Sequence, residues 1–296
     1  MLVEALDDGW LWAACRPGEA LQVTAFCDPV HVHSRWPGEP QRALNAMLAS
    51  SEHLNRLGDA KTFDGVCNAG SYVCADWLQD GYWKIGDSAL GLDPLSSSGV
   101  EKSMRFALQA ALAVNTILSR AGDLDVAEEF LTGKLNGTCA RHLSWTSKNY
   151  ANSWCYSEGR FWQTRGVARQ AGEIGASDRG HVNQWGISAT FVGVPCMAAG
   201  VTIKRMPCAL DDRIETRGAV VHPSLEDPVV FVDGVELAPL LRVGLGASSY
   251  PELIERWSRV LARDRAVRVC AWALQKGILT SEGAAMSLEA KERLQA

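Results

Sequence analysis

The sequence has 296 residues, 47% of them hydrophobic and 21% charged, which is enough to bury one large core or two smaller ones. Its formal net charge of -5 gives no basic surface of the kind that attracts nucleic acid or anionic membranes. No apolar run approaches the roughly 20 residues of a membrane-spanning helix, and residues 1–8 lack the basic and apolar regions of a signal peptide. We therefore expect a cytoplasmic protein with neither nucleic-acid nor membrane partners.

Cysteine and histidine usage predicts neither a disulfide framework nor a metal site. The nine cysteines are irregularly spaced and include no Cys-x-x-Cys pair. His31-Val32-His33 would place two imidazoles on one face of a strand, but no nearby residue completes a ligand set.

The first third of the chain reads as a sheet followed by a helix. Residues 10–14 and 21–25 predict two strands joined through the Pro17-Gly18 turn. A helix is predicted over residues 39–57, and one or two strands are predicted over residues 61–74.

Residues 82–118 carry the pattern most informative about function. A short strand over residues 82–85 leads into Gly86-Asp87, and a Pro- and Ser-rich loop leads to a helix that begins at Ser98-Gly99-Val100. The free N–H groups at such a helix start suit an electron-rich ligand edge, although a capped helix after a strand is the alternative reading. The helical spacing predicts that one face packs on a core, comprising Val100, Met104, Ala107, Leu108, Ala111 and Leu112.

Gly86-Asp87-Ser88-Ala89, Asp93-Pro94 and Ser97-Ser98-Gly99-Val100 together resemble the second flavin-binding motif of the flavin-dependent monooxygenases, in particular the tryptophan-halogenase-like branch and its hydroxylating relatives. The resemblance implies FAD as the cofactor, with Gly86 and Asp87 holding its ribityl chain. It also implies that the helix start faces the isoalloxazine ring through Pro94, Ser97, Ser98, Gly99 and Val100.

A second segment agrees with this resemblance. Gly9-Trp10-Leu11-Trp12 resembles the start of the Trp-x-Trp-x-Ile-Pro signature of flavin halogenases, and it implies substrate contacts from Trp10 and Trp12. Spacing alone favours two tryptophans that pack on one face of a strand. The signature ends in Ala14-Cys15 instead of Ile-Pro, and Ser96 replaces the glutamate of enzymes that halogenate free tryptophan. These departures favour hydroxylation, or a phenol- or pyrrole-type halogenase.

The same family opens with a Gly-x-Gly-x-x-Gly turn that holds the dinucleotide pyrophosphate, and we expect this chain to lack that N-terminal part. Residues 244–249 resemble this glycine-rich turn, but another residue stands in place of the third glycine. We interpret them as an ordinary turn before a helix. The family's halide-relay lysine would lie in the missing part, so no catalytic residue is assigned.

The C-terminal half predicts a hairpin and two helices. Residues 229–232 and 235–237 flank Asp233-Gly234, and helices are predicted over residues 250–261 and 263–275. We predict a mixed α/β fold, namely the C-terminal portion of a hydroxylase-type FAD-binding fold with a small helical, winged-helix-like appendage. The predicted boundary separates a flavin-motif domain, residues 1–165, from an accessory region, residues 166–296.

Three functions remain open from the sequence. The first is hydroxylation of an aromatic ring, on a small molecule or on a tryptophan within a partner protein, with reduced flavin or NAD(P)H as the electron source. The second is halogenation of a phenol or pyrrole. The third is a non-catalytic remnant or a partner-binding subunit.

Overall fold

A computed structural model describes residues 1–79, 81–119, 123–152, 158–166 and 193–280. The chain divides into two compact units, Met1–Ala111 with Leu131–Gly172, and Leu112–Phe130 with Glu173–Ala296. The boundary predicted after residue 165 lies beside residues outside the described ranges, so it stays a prediction.

The first unit begins with a three-stranded antiparallel sheet, β1 (Leu2–Leu6), β2 (Gly9–Ala14) and β3 (Gln22–Cys27). The pairing of β2 with β3 confirms the first sequence-based hairpin, with Trp10 opposite Phe26. Strand β1, which was not predicted, pairs with the other edge of β2. The central strand β2 is the most buried of the three because it is covered at both edges.

Two helices follow the sheet, α1 (Pro29–Arg35) and α2 (Pro40–Ser50). His31 and His33 lie in α1, so the expectation of a strand there was wrong; Asp28 caps this helix by accepting hydrogen bonds from the first-turn amides. The helix predicted over residues 39–57 ends at Ser50, and only a 3-10 turn forms over Asn55–Leu57. Leu6, Leu11, Met47, Leu48 and Leu54 join the sheet and α2 in one apolar cluster.

Short strand pairs lead into the flavin-like motif. Strand β4 (Tyr72–Val73) pairs with β7 (Leu90–Gly91), and β5 (Leu78–Gln79) pairs with β6 (Tyr82–Trp83). Little of the strand structure predicted over residues 61–74 forms, since β4 alone occupies that stretch. Three helices complete this part of the chain: α3 (Gly99–Ser119), α4 (Leu124–Ala151) and α5 (Arg160–Gly166).

The face of α3 predicted to pack on the core is the wrong one. Val100, Met104 and Leu108 are exposed, and Ala107 and Ala111 are exposed with them, while Leu112 is half-buried. The buried face carries Lys102, Phe106, Ala110 and Ala113, and the Phe106 ring lies 6.1 Å from that of Trp77. Both faces of α3 are rich in apolar residues, so hydrophobic periodicity alone does not identify the one that packs inward.

The second unit contains the long hairpin β9 (Thr202–Leu210) and β10 (Arg213–Val221), and the pair β8 (Cys196–Met197) and β13 (Leu279–Thr280). The predicted hairpin around Asp233-Gly234 is confirmed as β11 (Phe231–Val232) and β12 (Val235–Glu236). Its turn residues have φ of 50° and 72°, as a two-residue hairpin requires. Helices α6 (Leu237–Gly244), α7 (Tyr250–Ser258) and α8 (Arg263–Gln275) pack around Tyr250, Trp257 and Cys270.

Helices α7 and α8 match the two predicted C-terminal helices. Gly244 ends α6, and Ser249 caps α7 by accepting a hydrogen bond from Glu252 N, so residues 244–249 are the expected turn before a helix. None of the helices in the described part of the chain is both long and apolar enough to span a bilayer.

Candidate flavin site

The glycine-aspartate pair of the motif forms a tight turn at the end of β6. Gly86 has a φ of +63°, and a Cβ built on it would lie 3.2 Å from Ser103 Oγ, so both backbone conformation and space favour glycine. The turn directs Asp87 outward, where 76% of its side chain is exposed. Tyr72 fixes the turn from the other side because its hydroxyl donates to the Asp87 carbonyl oxygen at 2.6 Å.

The carboxylate of Asp87 is held by a buried lysine. Lys102 Nζ lies 2.5 Å from Asp87 Oδ1, while only 5% of the lysine side chain is exposed. The same Nζ donates a second hydrogen bond to the carbonyl oxygen of Leu90, a buried residue. A buried ammonium needs such partners because its desolvation is costly. The lysine thus fixes one oxygen of Asp87 and leaves the exposed carboxylate free to accept further hydrogen bonds.

Asp93, in the second part of the motif, is fixed by three separate groups. Its carboxylate accepts hydrogen bonds from Leu95 N at 2.9 Å and from Tyr150 Oη, which lies 3.0 and 3.1 Å from the two oxygens. Its backbone N–H donates to His142 Nε2 at 2.8 Å. Tyr150 and His142 both lie on α4, so this helix sets the position of the Asp93-Pro94 loop.

Electrostatics keep the groups of this network in the protonation states that the hydrogen bonds require. Burial raises the pKa of Tyr150, and the Asp93 carboxylate raises it further, so the hydroxyl keeps the proton that it donates. Burial lowers the pKa of His142; Asp93 opposes this shift and Lys102 adds to it. A neutral imidazole results, and its unprotonated Nε2 can accept the hydrogen bond from the Asp93 amide.

The predicted ring-facing residues lie between this network and the start of α3. Pro94 opens a 3-10 turn, and Ser97 has a φ of 50° that reverses the chain toward the helix. Ser98 Oγ lies 2.6 Å from Ser96 Oγ, and the Ser98 carbonyl accepts the first helical bond, from Lys102 N. Gly99 begins α3, and no atom lies within 4 Å of a Cβ built on it, so the helix start is open.

The two tryptophans of β2 differ in their surroundings. Trp10 is buried and stacks on Phe26, with centroids 3.8 Å apart. It belongs to an aromatic cluster with Tyr150 and the aromatic pair of α5, Phe161 and Trp162. Trp12 is half-buried and packs against the edge of the same cluster. The aromatic cluster therefore links β2 to the helix that positions Asp93.

The arrangement consequently joins an exposed, anchored carboxylate to an open helix start through a rigid loop. A carboxylate accepts hydrogen bonds from sugar-like hydroxyls, and free backbone N–H groups suit the electron-rich edge of a ring. No group of three or more histidine, cysteine or acidic side chains suited to a metal ion occurs among the residues that the structure describes.

Comparison with known proteins finds similarity to two halogenases and to one tryptophan dihydroxylase. No protein-family model matches the chain. Over 122 residues, 41% of this chain and 23% of the relative, it is 30% identical to a tryptophan 2-halogenase from Chondromyces crocatus. The solved structure of QhpG, a peptidyl tryptophan dihydroxylase essential for tryptophylquinone cofactor biogenesis, superposes with a TM-score of 0.70 at 22% identity. CmlS, a flavin-dependent halogenase, superposes with a TM-score of 0.63 at 16% identity.

The chain has the fold of the tryptophan-halogenase-like flavoenzymes. The superpositions cover 93% and 96% of this chain but only 59% and 60% of the two neighbours. It therefore spans less than two thirds of the length of the proteins that it matches. The resemblance inferred from the motif and from the tryptophan pair is confirmed by both the sequence relative and the structural neighbours.

Within this flavoenzyme fold, sequence reasoning missed the residues that hold the motif in place. Lys102, Tyr72, His142 and Tyr150 were not assigned a role, although the motif aspartates depend on them. One signal was present for Lys102, because it lies on the same face of α3 as Phe106 and Ala113. A charged residue on an apolar helix face needs a buried partner, and Asp87 supplies it.

Proposed function

We propose that this chain forms the substrate-side part of an FAD-dependent monooxygenase that hydroxylates an aromatic ring. The observation that carries the proposal is the Asp87 carboxylate, which is exposed in the turn after Gly86 and is paired with the buried ammonium group of Lys102. A surface carboxylate fixed by a buried cation is preorganised to bind hydroxyl donors, since its orientation does not have to be acquired on binding.

The described residues fit such a cofactor. Asp87 would accept hydrogen bonds from the ribityl hydroxyls, and the positive φ of Gly86 would let the cofactor approach the backbone. The helix start would lie beside the ring, as proposed for Pro94, Ser97, Ser98, Gly99 and Val100. When bound, reduced flavin and dioxygen supply one oxygen atom to the aromatic ring and one to water, and the flavin is oxidised. Reduced flavin or NAD(P)H is proposed as the electron source.

In this proposal the side chains of the chain position the cofactor site and exclude water from it, and none is assigned a proton-transfer role. The Asp93 loop, fixed by Tyr150 and His142, would hold the chain that leads into the helix start in one position. The aromatic cluster behind it excludes water from one side of the loop. Trp12, at the edge of the cluster, is the proposed substrate contact of the pair; Trp10 supports it through β2.

A tryptophan side chain within a partner protein is the substrate that we propose. The support is the structural neighbour QhpG, a peptidyl tryptophan dihydroxylase, which has the higher TM-score of the two neighbours. The serine at position 96 also separates this chain from the pattern of enzymes that halogenate free tryptophan.

Flavin retention is the first test. Purified protein is mixed with FAD and gel-filtered, and the visible absorbance that remains with the protein is measured. Wild type is expected to retain flavin, and Asp87→Ala to bind it about 10- to 150-fold more weakly, because a hydrogen bond to a charged group contributes about 1.5–3 kcal/mol. Asp64→Ala, which removes an exposed carboxylate outside the motif, should bind like wild type. Equal retention by wild type and Asp87→Ala would contradict the proposed role of the turn.

Halogenation is the second candidate, favoured by the sequence match to a halogenase. Incubation with reduced flavin, dioxygen and tryptophan-containing peptides, with and without chloride or bromide, separates the two reactions by mass spectrometry. Addition of one oxygen atom regardless of halide supports hydroxylation. A product that appears only with halide and contains it would replace hydroxylation with halogenation.

A further inference from the structure

Cys74, Asp76 and Lys84 form a hydrogen-bonded cluster outside the network that holds the flavin-like motif. Lys84 Nζ lies 3.3 Å from Cys74 Sγ and 2.6 Å from Asp76 Oδ1. The Cys74 thiol donates to the same carboxylate oxygen at 2.8 Å. A sulfur nucleophile and a primary amine are therefore in direct contact, and one carboxylate binds both of them.

The backbone on each side of the cluster fixes this contact. Cys74 follows β4, and its N–H donates to the carbonyl oxygen of Ala89 at 2.8 Å. Lys84 follows β6, and its N–H donates to the carbonyl oxygen of Trp77 at 2.8 Å. Trp77 is buried, so the segment that carries Asp76 is packed against the core. The thiol and the amine thus meet because both backbones are held in place, in addition to the attraction of their charges.

The cluster is open to a small oxidant. Cys74 is half-buried, and the Lys84 side chain is 27% exposed. By contrast, burial raises the pKa of the Cys270 thiol to about 12 and leaves it almost no thiolate, which is the form that attacks peroxides. The Lys84 ammonium lies where it can stabilise the negative charge that develops on the Cys74 sulfur when the thiol loses its proton.

We propose that hydrogen peroxide oxidises Cys74 and that Lys84 captures the product in a covalent sulfur–nitrogen link. The thiolate first attacks one peroxide oxygen, so that an S–O bond forms and the O–O bond breaks. Sulfur is oxidised by two electrons to a sulfenic acid, and the leaving hydroxide takes a proton from the Lys84 ammonium and becomes water. The neutral amine then attacks sulfur, an S–N bond forms, and the hydroxyl group leaves with an amine proton as a second water.

Asp76 keeps the amine protonated until the oxidation step. Its hydrogen bond with Lys84 raises the pKa of the lysine, and the hydrogen bonds from Cys74 and Lys84 lower the pKa of Asp76 to about 2. Lys84 is thus a proton donor in the first step and a nucleophile in the second. Since Lys84 lies two residues before Gly86, the link would form directly beside the flavin-like motif. The inference does not depend on the proposed function, because none of the three residues is a proposed cofactor contact.

Peptide mapping tests the proposal, because Cys74 and Lys84 lie in one tryptic peptide, residues 62–84. The full 296-residue chain, without added flavin, is treated with hydrogen peroxide, digested with trypsin and analysed by mass spectrometry. A link through the Lys84 amine blocks cleavage after that residue. The peptide should therefore extend to Lys102 and be two hydrogen atoms lighter than its unmodified sequence. Dithiothreitol added before digestion should restore the 62–84 peptide, because a thiol reduces the S–N bond.

Two variants separate the amine from its charge. Lys84→Arg keeps a cation beside Asp76 and keeps the tryptic site, but its guanidinium does not form the link. This variant should yield the 62–84 peptide with Cys74 oxidised and not linked. The matched control is Lys61→Arg, at an exposed lysine of the preceding loop, and it should form the link to the same extent as wild type. Circular dichroism verifies that both variants stay folded.

Several results would overturn the proposal. Unmodified Cys74 after peroxide treatment of wild type would show that the thiol does not react. A 62–84 peptide with one added oxygen atom would show a sulfenic acid that Lys84 does not capture. A 62–84 peptide lighter by two hydrogen atoms would identify a disulfide between Cys67 and Cys74 instead. Loss of the link in Lys61→Arg would show that it does not depend on the Lys84 amine specifically.

Discussion

Replacement of Tyr150 by phenylalanine isolates the contribution of one hydroxyl to the loop that carries Asp93. The ring is buried and packs near Phe161 and Trp162, with centroids 5.9 Å away in both cases, and phenylalanine retains these contacts. What is lost is the hydrogen bond to the Asp93 carboxylate, at 3.0 and 3.1 Å from its two oxygens. Asp93 keeps its bond from Leu95 N, so the carboxylate is not left without a donor.

A hydrogen bond to a charged group contributes about 1.5–3 kcal/mol, and no cavity term is added because the ring volume is conserved. The free energy of unfolding should fall by that amount, which for a unit of this size corresponds to a midpoint lowered by roughly 3–12 °C. Urea denaturation followed by tryptophan fluorescence measures the free energy of unfolding, and thermal denaturation followed by far-UV circular dichroism measures the midpoint. Tyr82→Phe, at a tyrosine that is 49% exposed, is the matched control and should change stability by less than about 0.5 kcal/mol. If Tyr150→Phe is as stable as that control, Asp93 does not depend on α4 in the way described.

Two further predictions concern the same motif. Gly86→Ala should destabilise the protein by about 1–2 kcal/mol in urea denaturation, because φ is +63° and the new Cβ would lie 3.2 Å from Ser103 Oγ. The control is Gly99→Ala, which has open space around its Cβ and should be neutral or slightly stabilising. Equal effects at the two glycines would refute the strain argument. His142, whose pKa is lowered from 6.5 by burial, binds fewer protons folded than unfolded, so stability should decline as pH falls below about 6.5 toward the lowered value. His142→Gln keeps an acceptor for Asp93 N and should remove that part of the decline in denaturation curves at pH 5 to 8; an unchanged pH dependence would argue against a neutral His142.

Local chemistry explains which parts of the fold were predictable from the sequence. Helix α8 (Arg263–Gln275) was predicted at its observed bounds because Gly277, with a φ of 66°, follows the C-cap residue Lys276 and ends the helix. The hairpin at Asp233-Gly234 follows from its turn residues in the same way. Residues 61–74 formed less strand than predicted, since strand propensity expresses itself only where a partner strand is available.

The sequence was enough to identify the linear motif of the candidate site, but not the distant residues that hold the motif in place. Gly86, Asp87 and Asp93 lie close together in the sequence, so the motif that contains them could be identified directly. The groups that hold them are separated from them by 15 residues for Lys102, 49 for His142 and 57 for Tyr150. Separations of this size leave no local pattern in a single sequence. The prediction of the buried face of α3 was wrong for a related reason. Two apolar faces of one helix cannot be told apart from the sequence until the partner of each face is known.

These long separations also make the geometry of the site dependent on the folded chain around it. The Asp93 loop closes on α4 across 49 and 57 residues, and contacts so distant along the chain form only after their loop-closure entropy has been overcome. A short peptide that contains the motif alone would have the residues without their geometry. The geometry of the motif therefore depends on α4, and grafting the motif onto another scaffold would require transfer of α4 with it.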